Sequence, residues 1–579
     1  MIQETLRDIT ERALKNMGVP ADMAAIQFDH PTDTKFGDFS TNVAMLLFKQ
    51  LGATAKSPFE LAEKITAAIQ EEVRLTRSTI IAKVEAVRPG FINFYLTKTF
   101  FQQSLAEAIE KTAWYGKGIK LWNKKIIIEH TNLNPFKPFH IGHLVNNAIG
   151  ESLSRILEWQ DAKLTRASYG GDIGLHVAKT LFAIMKMKDE IPENADPKTY
   201  IEILGAAYIM GNAVYEEDVA AQEQIKIINK KIFDKSDAAL NKLYEWGRDI
   251  SLAYFKELYA RLDTRVDLHF FESQVAAEGI EVVMQNVVQG IFEKSEGAII
   301  YPGEKKGLHN RVFITSQGLP TYEAKEIGLT RKKFEYENFD KSIIVTANEQ
   351  DDYFKVVLMA IADIYPEIAS RTQHLSHGML RFASGKMSSR KGNIITGESL
   401  IEDIEAMVAE KIKDRDYTDA EKTEIKTLVG RAAIKYSILK QSIGKDIIFD
   451  PERSLSFEGD SGPYLQYSYV RAKSILEKAD KEKVSADPQG VSTDAELPLE
   501  RLLYRFPNVV ERAGKEFAPQ YIATYLTELA ATFNSYYASN KIVDKADPSS
   551  AYKIALTTGV QWTLKNGLYL LGIEVPKKM

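Results

Sequence analysis

Two histidines three residues apart, His140 and His143, stand between a strand pattern and a helix pattern. The three isoleucines at 126–128 predict a strand buried on both faces, as in a parallel sheet. A polar segment with two prolines ends that strand, and from Leu144 the apolar residues follow one helical stripe. The histidines are therefore predicted at a helix start near the carboxyl end of a strand. Ligands bind at that edge of open α/β sheets, and free backbone N–H groups there attract phosphate.

The residue types at this junction suit a nucleotide. Gly142 has no Cβ, so a nucleotide can approach its backbone, and the imidazoles of His140 and His143 can donate hydrogen bonds to phosphate oxygens. Taken alone, the four residues 140–143 are also consistent with two surface histidines at a helix cap, because such short strings occur by chance.

A second stretch far downstream, residues 385–393, is small, basic and bounded by glycines. Lys386 and Lys391 supply positive charge, and Ser388 and Ser389 supply hydroxyl groups. By itself this stretch is consistent with a solvated surface turn or with a phosphate-binding loop.

Together and in this order, the two stretches resemble the HIGH and KMSKS elements of the class I aminoacyl-tRNA synthetases. The residues around them resemble the arginyl-tRNA synthetase family from the N-terminal region to the last residue. The resemblance implies that arginine is activated with ATP to arginyl-adenylate and pyrophosphate, and is then transferred to the 3′-terminal adenosine of tRNA(Arg). It implies ATP and accompanying Mg²⁺ as cofactors, with no metal site of the protein's own.

Activation is an attack of a carboxylate on the α-phosphorus of ATP, so the protein must align the reactants and neutralise growing charge. The predicted catalytic residues are Lys137, His140, His143, Lys386 and Lys391. The predicted ATP contacts are Phe139, Gly142, Glu349, Met387, Ser388 and Ser389. Ser389 stands where the family usually has a second loop lysine. The resemblance implies that Lys137 compensates for it, as a lysine just before the first histidine does in some arginyl enzymes.

Recognition of arginine requires carboxylates, because guanidinium is a planar fork of hydrogen-bond donors. Glu326 is the first candidate, and it lies four residues after Tyr322, on the same face of a predicted helix. The family has aspartate at this position, so the side chain here is one methylene longer. Asp172 is equally consistent with a helix cap. The predicted arginine-binding residues are Asn132, Asn134, Asp172, Glu272, Tyr322, Glu326 and Gln350.

The elements that position these residues suggest three domains. Residues 1–115 are predicted to form an α+β domain that contacts tRNA, and residues 116–395 a Rossmann-type α/β catalytic domain with a helical insertion at about 185–265. Residues 396–579 are predicted to form an all-α anticodon-binding bundle. Strands at 311–315 and 342–346 are expected to line the catalytic site. The resemblance implies tRNA contacts at Phe36, Asn42, Tyr464, Tyr467, Phe533 and Tyr537.

Composition restricts the class of protein. The chain has no cysteine, which excludes disulfides, a cysteine nucleophile and cysteine-bound zinc. The net charge of −5 gives no global basic signal, so a tRNA partner would need a local basic surface. No apolar run reaches the roughly 18–20 residues of a membrane span, and the first residues form an acidic amphipathic pattern rather than a signal peptide. A cytoplasmic monomer without a membrane partner is expected.

Two alternatives stay open at this point. Another class I synthetase of the glutaminyl, glutamyl or cysteinyl type would share both signature elements. A glutamate enzyme would need a basic side-chain pocket, and a cysteine enzyme would need zinc-binding cysteines. A non-catalytic tRNA-binding paralogue would also share the fold, but the intact His140, His143 and Lys386 argue against it.

Overall fold

The computed structural model describes residues 2–19, 26–31, 33–51, 55–383 and 396–579. These described residues belong to two compact units. The first contains residues 1–115, 472–506 and 532–563, and the second contains residues 116–471, 507–531 and 564–579. Each unit therefore combines segments that are distant in sequence, whereas the predicted division into three domains followed the linear order of the chain.

The first unit opens with a small antiparallel sheet covered by helices. Its N-terminal elements are α1 (Ile2–Asn16), β1 (Phe39–Thr41), α2 (Val43–Leu51), α3 (Pro58–Leu75), β2 (Ile81–Val87), β3 (Phe91–Leu96) and α4 (Lys98–Lys111). The strand order is β1-β3-β2, and both pairings are antiparallel. Helix α3 starts sharply because Ser57 caps its first turn and Pro58 favours the first helical position.

The second unit is built on a parallel sheet. In the described part of this unit, five strands run in the order β11-β10-β4-β5-β6, and each neighbouring pair is parallel. These strands are β4 (Lys125–Glu129), β5 (Lys163–Gly170), β6 (Leu268–Phe271), β10 (Lys341–Ala347) and β11 (Thr372–His377). Ile127 and Ile128 in the central strand β4 are fully buried, as the isoleucine run predicts.

Helices and a second small sheet surround this parallel sheet. The helices of this region are α5 (Ile141–Trp159), α6 (Leu175–Lys186), α7 (Pro197–Glu217), α8 (Val219–Asp234), α9 (Ala238–Arg261), α10 (Glu272–Val288), α11 (Tyr322–Tyr336), α12 (Asp351–Ile364) and α13 (Pro366–Arg371). Strands β7 (Glu293–Ser295), β8 (Ala298–Tyr301) and β9 (Arg311–Ile314) pair antiparallel with one another. The strand predicted at 311–315 is therefore present, but it belongs to this antiparallel sheet and not to the parallel one.

The helical insertion predicted at about 185–265 corresponds to the run of α7, α8 and α9 between β5 and β6. Each of these helices begins with an aspartate whose side chain accepts hydrogen bonds from the first turn, namely Asp196, Asp218 and Asp237. The insertion thus consists of separately capped helices.

The remaining elements are mostly helical. They are β12 (Leu380–Phe382), α14 (Gly397–Ile412), α15 (Asp419–Leu439), β13 (Ile447–Phe449), α16 (Pro451–Ser454), α17 (Gly462–Glu482), α18 (Leu497–Leu503), α19 (Phe506–Lys515), α20 (Gln520–Ser539) and α21 (Ser550–Leu570). Among the described residues, no helix is both long enough and apolar enough to cross a membrane.

Candidate active site

The loop after β4 is held by its own asparagines. Thr131 and Asn132 have positive φ angles of 72° and 46°, which turn the chain away from the strand. The side chain of Asn132 donates to Glu129 Oε1 (2.9 Å) and accepts from the backbone N–H of Tyr169 (2.9 Å). Asn134 Oδ1 accepts a hydrogen bond from the backbone N–H of Gly171 (2.8 Å). The NH₂ group of Asn134 takes no part in this bond. The loop is thereby joined to the end of β5.

The helical insertion supports the same loop. Phe136 is fully buried, and its backbone N–H donates to Ser251 Oγ of α9 (3.1 Å). Its ring stacks on Tyr244 of the same helix, with a centroid distance of 5.9 Å. A Cβ at Gly247 would lie 2.3 Å from this ring, so the missing side chain makes room for Phe136.

The two signature histidines cap the start of α5. His140 is the N-cap, and the backbone N–H of each histidine donates to Nδ1 of the other, at 3.3 Å in both cases. The rings stack with centroids 3.5 Å apart. Because each Nδ1 acts as an acceptor, the proton of each neutral ring must sit on Nε2. Both imidazoles can then donate from Nε2 to a phosphate oxygen.

The electrostatics keep these rings neutral. Burial, followed by the charge of Lys137, lowers the pKa of His140. Burial, His140 and Lys137 lower the pKa of His143 well below its usual value. Neutral imidazoles at a helix N-terminus add hydrogen-bond donors to the backbone N–H groups that already favour an anion.

Lys137 lies near the histidines and faces the insertion. Its ammonium group is 5.3 Å from the centroid of the Tyr208 ring on α7. Burial lowers the pKa of Lys137, while the charge of Glu272 raises it and that of Lys179 lowers it further. The lysine is therefore half-buried and close to both the histidines and a carboxylate, rather than fully solvated.

The first signature element is joined to the residues that follow the second one. His140 and Thr396 form an antiparallel β-bridge, and the backbone N–H of Gly397 donates to the carbonyl of Phe139 (3.0 Å). A Cβ at Gly397 would lie 2.6 Å from the Phe139 ring. The predicted residues Lys386, Met387, Ser388, Ser389 and Lys391 lie outside the described residues.

Three buried carboxylates, Glu129, Glu272 and Glu326, lie close enough for the first two to act electrostatically on the third, and we term this group the acidic pocket. Glu326 on α11 is 4% exposed, and its Oε1 has no hydrogen-bond partner among the described residues. Burial, followed by the charge of Glu129, raises the pKa of Glu326 to about 8. The hydroxyl of Tyr169 is likewise buried without a partner in the described part of the chain, and its pKa is raised by burial and then by Glu272 and Glu326. A buried carboxylate and a buried hydroxyl without partners are the groups that a polar ligand would satisfy.

Two further carboxylates of this region are paired with lysines. Lys333 on α11 forms an ion pair with Glu129, and both side chains are buried. Lys325 on the same helix forms an ion pair with Glu272, also buried. Burial raises the pKa of Glu272, and Lys325 opposes that rise. The predicted substrate carboxylate Glu272 is thus already neutralised by this chain.

Asp172 is fully buried and is held by side chains of this chain. Its Oδ2 accepts from Tyr244 (2.9 Å), Arg248 (3.1 Å) and Ser273 (2.7 Å), and its Oδ1 accepts from the backbone N–H of Ser273 (2.9 Å). These donors fix the orientation of the carboxylate and already supply it with the positive charge of Arg248. Tyr244, which stacks on Phe136, therefore also holds this carboxylate.

Three other residues predicted to contact arginine or ATP lie at the protein surface. Tyr322, Glu349 and Gln350 are exposed, and Glu349 and Gln350 follow the carboxyl end of β10. Tyr322 lies at the start of α11, where the ammonium of Lys325 is 4.4 Å from its ring centroid and Tyr353 donates to its backbone carbonyl. Tyr322 and Glu326 share a helix face as predicted, but one is exposed and the other is buried.

The predicted tRNA contacts differ in exposure. In the first unit, Phe36 and Tyr537 are 40% and 41% exposed, and Asn42 is partly buried. Phe533 is 1% exposed, so its ring packs inside the helices and cannot stack on an unpaired base, contrary to the prediction. In the second unit, Tyr464 and Tyr467 are partly buried, and Arg471 donates to the hydroxyl of Tyr467 (2.9 Å).

Sequence reasoning missed several residues of the pocket. Glu129 had a readable signal, because a charged residue that ends a buried parallel strand lies at the ligand-binding edge of the sheet. Tyr169, Lys325 and Lys333 had none, because nothing in a helix or strand pattern shows which partner a buried polar residue will meet. In the described residues, no group of three or more His, Asp or Glu side chains could hold a metal ion.

Family models match most of the chain. The model for the class I (R) tRNA synthetase catalytic domain covers residues 106–451. The arginyl-tRNA synthetase N-terminal domain model covers residues 2–96, and the DALR anticodon-binding domain model covers residues 465–579.

Relatives match over their whole length. The chain is 30% identical to the arginine–tRNA ligase of Borreliella burgdorferi, over 99% of this chain and 97% of that protein. It is 29% identical to the arginine–tRNA ligase of Halothermothrix orenii, over 100% of this chain and 99% of that protein. Among solved structures, the Thermus thermophilus arginyl-tRNA synthetase matches with a TM-score of 0.81 and 26% identity, and each chain is covered completely.

Proposed function

The chain belongs to the class I arginyl-tRNA synthetase family, and we propose that it acts as an arginine–tRNA ligase in protein synthesis. It activates arginine with ATP to arginyl-adenylate and pyrophosphate, and it then transfers the arginyl group to the 3′-terminal adenosine of tRNA(Arg). The observation that carries the proposal is the presence in one unit of a neutral histidine pair at a helix start and a buried carboxyl group with an unpartnered oxygen.

The histidine pair suits the first step. The carboxylate of arginine attacks the α-phosphorus of ATP, the bond to pyrophosphate breaks, and negative charge grows on the phosphate oxygens. The Nε2–H groups of His140 and His143 donate to those oxygens, and the ammonium of Lys137 adds positive charge. The chain needs no covalent nucleophile, because substrate alignment and charge neutralisation account for this type of catalysis. Lys386 and Lys391 are proposed to add charge from the second signature element.

The acidic pocket suits the guanidinium group. Glu326 has an unpartnered oxygen that can accept a charge-assisted hydrogen bond from it. The exposed residues Tyr322 and Gln350 are proposed to contact the same substrate. The NH₂ group of Asn134 is proposed to hold the substrate backbone. Phe139, Gly142 and Glu349 are proposed to contact ATP.

We propose that Mg²⁺ enters with ATP and neutralises the pyrophosphate. We also propose that tRNA(Arg) binds through exposed residues such as Phe36, Asn42 and Tyr537, that Tyr464 and Tyr467 contribute further contacts, and that the protein is a cytoplasmic monomer.

The test is ATP–pyrophosphate exchange with each amino acid in turn, in the presence of total tRNA. Exchange with arginine, and none with lysine or glutamine, is expected. Exchange with glutamine or glutamate would assign the chain to another substrate. A folded protein that exchanges with no amino acid would indicate a non-catalytic tRNA-binding role. Citrulline, the neutral isostere of arginine, serves as the control for charge recognition.

A further inference from the structure

The acidic pocket contains three carboxylates, which is more negative charge than one substrate cation can balance. Glu129, Glu272 and Glu326 are each at most 4% exposed. Lys325 and Lys333 are equally buried, and each forms an ion pair with one of the first two carboxylates. Among the described residues, Glu326 is the one carboxylate of the three without a lysine partner.

The pair of Glu129 and Lys333 is fixed at both carboxylate oxygens. Lys333 Nζ donates to Oε2, and Asn132 Nδ2 donates to Oε1 (2.9 Å). A buried carboxylate whose oxygens both have donors, one of them a cation, is electrically and geometrically satisfied. Exchange of Lys333 for a guanidinium would therefore give Glu129 little additional stabilisation.

We propose that Lys333 is a positioning residue that neutralises Glu129 and keeps it from pairing with the substrate. Glu326 is then the one carboxylate that pairs with the guanidinium, and each arginine that binds displaces one proton from Glu326. The inference rests on the proposed function. It assigns a role to a lysine that contacts neither the reacting atoms nor, on this reading, the substrate.

The proton follows from the charges around Glu326. In the empty pocket, burial and the charges of Glu129 and Glu272 oppose ionisation of Glu326, and Lys333 opposes that effect only in part. The hydroxyls of Tyr169 and Tyr353 stay protonated because burial and these carboxylates raise their pKa values well above the usual range. When an arginine cation enters, Glu326 loses its proton to solvent and keeps its electron pair as a carboxylate. The bound pocket is then neutral overall.

Removing Glu129 alone and removing the whole pair have opposite consequences. In Glu129→Gln, the buried Lys333 would be an unbalanced cation beside an incoming cation, so arginine affinity should fall by at least about tenfold. In Glu129→Gln with Lys333→Met, the neutral pair is removed and Glu326 is left as before. Arginine affinity should then return to within about threefold of the wild type. If Glu129 instead contacts the guanidinium directly, the second substitution cannot restore binding.

Calorimetry with arginine as the titrant measures both effects. Titrations of the wild-type protein near pH 7 in buffers of different ionisation enthalpy should give about one proton released per arginine bound, falling toward zero above about pH 9. Lys332→Met, on the neighbouring position of α11, is the matched control and should change neither quantity.

Each outcome decides the inference. Rescue by the double substitution, together with proton release by the wild type, supports it. A folded double variant with arginine affinity at least about tenfold below the wild type overturns it, as does a wild-type protein that binds arginine without releasing a proton. Should Glu129→Gln fail to fold, the double variant and the wild-type proton count still decide. A wild-type protein that neither binds arginine nor exchanges pyrophosphate with it would instead refute the proposed function.

Discussion

At the scale of single residues, Glu129 and Glu326 differ in their partners although both are buried. Glu129 is held by Lys333 and Asn132, whereas Oε1 of Glu326 has no partner in the described part of the chain. A buried carboxylate oxygen without a partner costs folding free energy, and a bound cation at Glu326 would offset that cost.

Replacing Glu326 by Gln should weaken arginine use by about 2 kcal/mol or more, the scale of a truncated charged hydrogen bond. This corresponds to a rise in KM for arginine of roughly thirtyfold. Steady-state exchange at varied arginine measures it, and Glu335→Gln, at an exposed position of the same helix, is the control. Unchanged arginine kinetics in Glu326→Gln would show that Glu326 does not contact arginine.

The same residue should make stability depend on pH. The pKa of Glu326 is raised to about 8 in the folded protein, above its ordinary value of 4.5. The native state therefore binds more protons than the unfolded state between these values, and this contribution to stability falls as pH rises from about 4.5 to 8. Denaturant unfolding at pH 6 and pH 9 should show a smaller loss in Glu326→Gln than in the wild type. An equal loss in both proteins would contradict the prediction.

Lys137→Ala should lower the rate of adenylate formation by a factor of roughly 100 to 1,000, with arginine affinity little changed. The reason is that its charge lies close enough to lower the pKa values of both signature histidines. Single-turnover adenylate formation with saturating ATP, arginine and tRNA measures the effect. Adding Ser389→Lys should partly restore the rate of the Lys137→Ala variant. A loss of rate below about threefold would indicate that the second signature element supplies the positive charge instead.

At the scale of elements, the helical insertion supports the loop that leads to the signature histidines. Helix α9 provides a hydrogen bond to the backbone of Phe136, a stacking partner for its ring and the space at Gly247. The insertion therefore fixes a segment that ends immediately before His140, although it supplies neither signature histidine.

Two glycines of the insertion make a matched pair. Alanine at Gly247 would place a Cβ 2.3 Å from the Phe136 ring, whereas a Cβ at Gly205 would meet nothing within 4 Å. Gly247→Ala should destabilise by about 1–3 kcal/mol and slow adenylate formation, because overpacking shifts the loop. Gly205→Ala should be neutral or stabilise by up to about 1 kcal/mol, because alanine favours the helix. Thermal unfolding and exchange assays test both, and similar behaviour of the two variants would refute this role of α9.

At the scale of the whole molecule, the N-terminal segment is part of a unit that also contains C-terminal helices. Tyr504 belongs to the same buried cluster as Leu6 and Phe94. Arg501 donates to Asp38 (2.6 Å), and Lys98 pairs with Glu500, whose side chain is fully buried. Removal of residues 1–110 would break these buried contacts with residues 500–504.

Deletion of residues 1–110 should therefore lower the melting temperature or cause aggregation, because it exposes Tyr504 and leaves Glu500 buried without its lysine. Thermal unfolding followed by circular dichroism measures this. The tRNA role of the segment is better tested by Phe36→Ala, an exposed change that should raise KM for tRNA and leave the melting temperature unchanged. A soluble, cooperatively unfolding truncated protein would show that the C-terminal helices fold without this segment.

The sequence by itself determined the features that depend on local pattern. The isoleucine run of β4, the helical period after Leu144 and the two histidines between them specify a strand, a helix and the junction between them within residues 125–159. The free backbone N–H groups at such a helix start favour an anion. The fold class and the family resemblance follow from such local signals.

Only the tertiary structure decided which buried charges meet. Lys333 and Glu129 are 204 residues apart, and Lys325 and Glu272 are 53 apart, and no periodic signal links the members of either pair. The same applies to the donors around Asp172, to the antiparallel sheet that contains β9 and to the burial of Phe533. Burial and long-range pairing depend on how the elements pack, and packing is a property of the whole chain. For that reason the sequence located the strand–helix junction of His140 and His143, whereas the pairing of the buried charges became readable only in three dimensions.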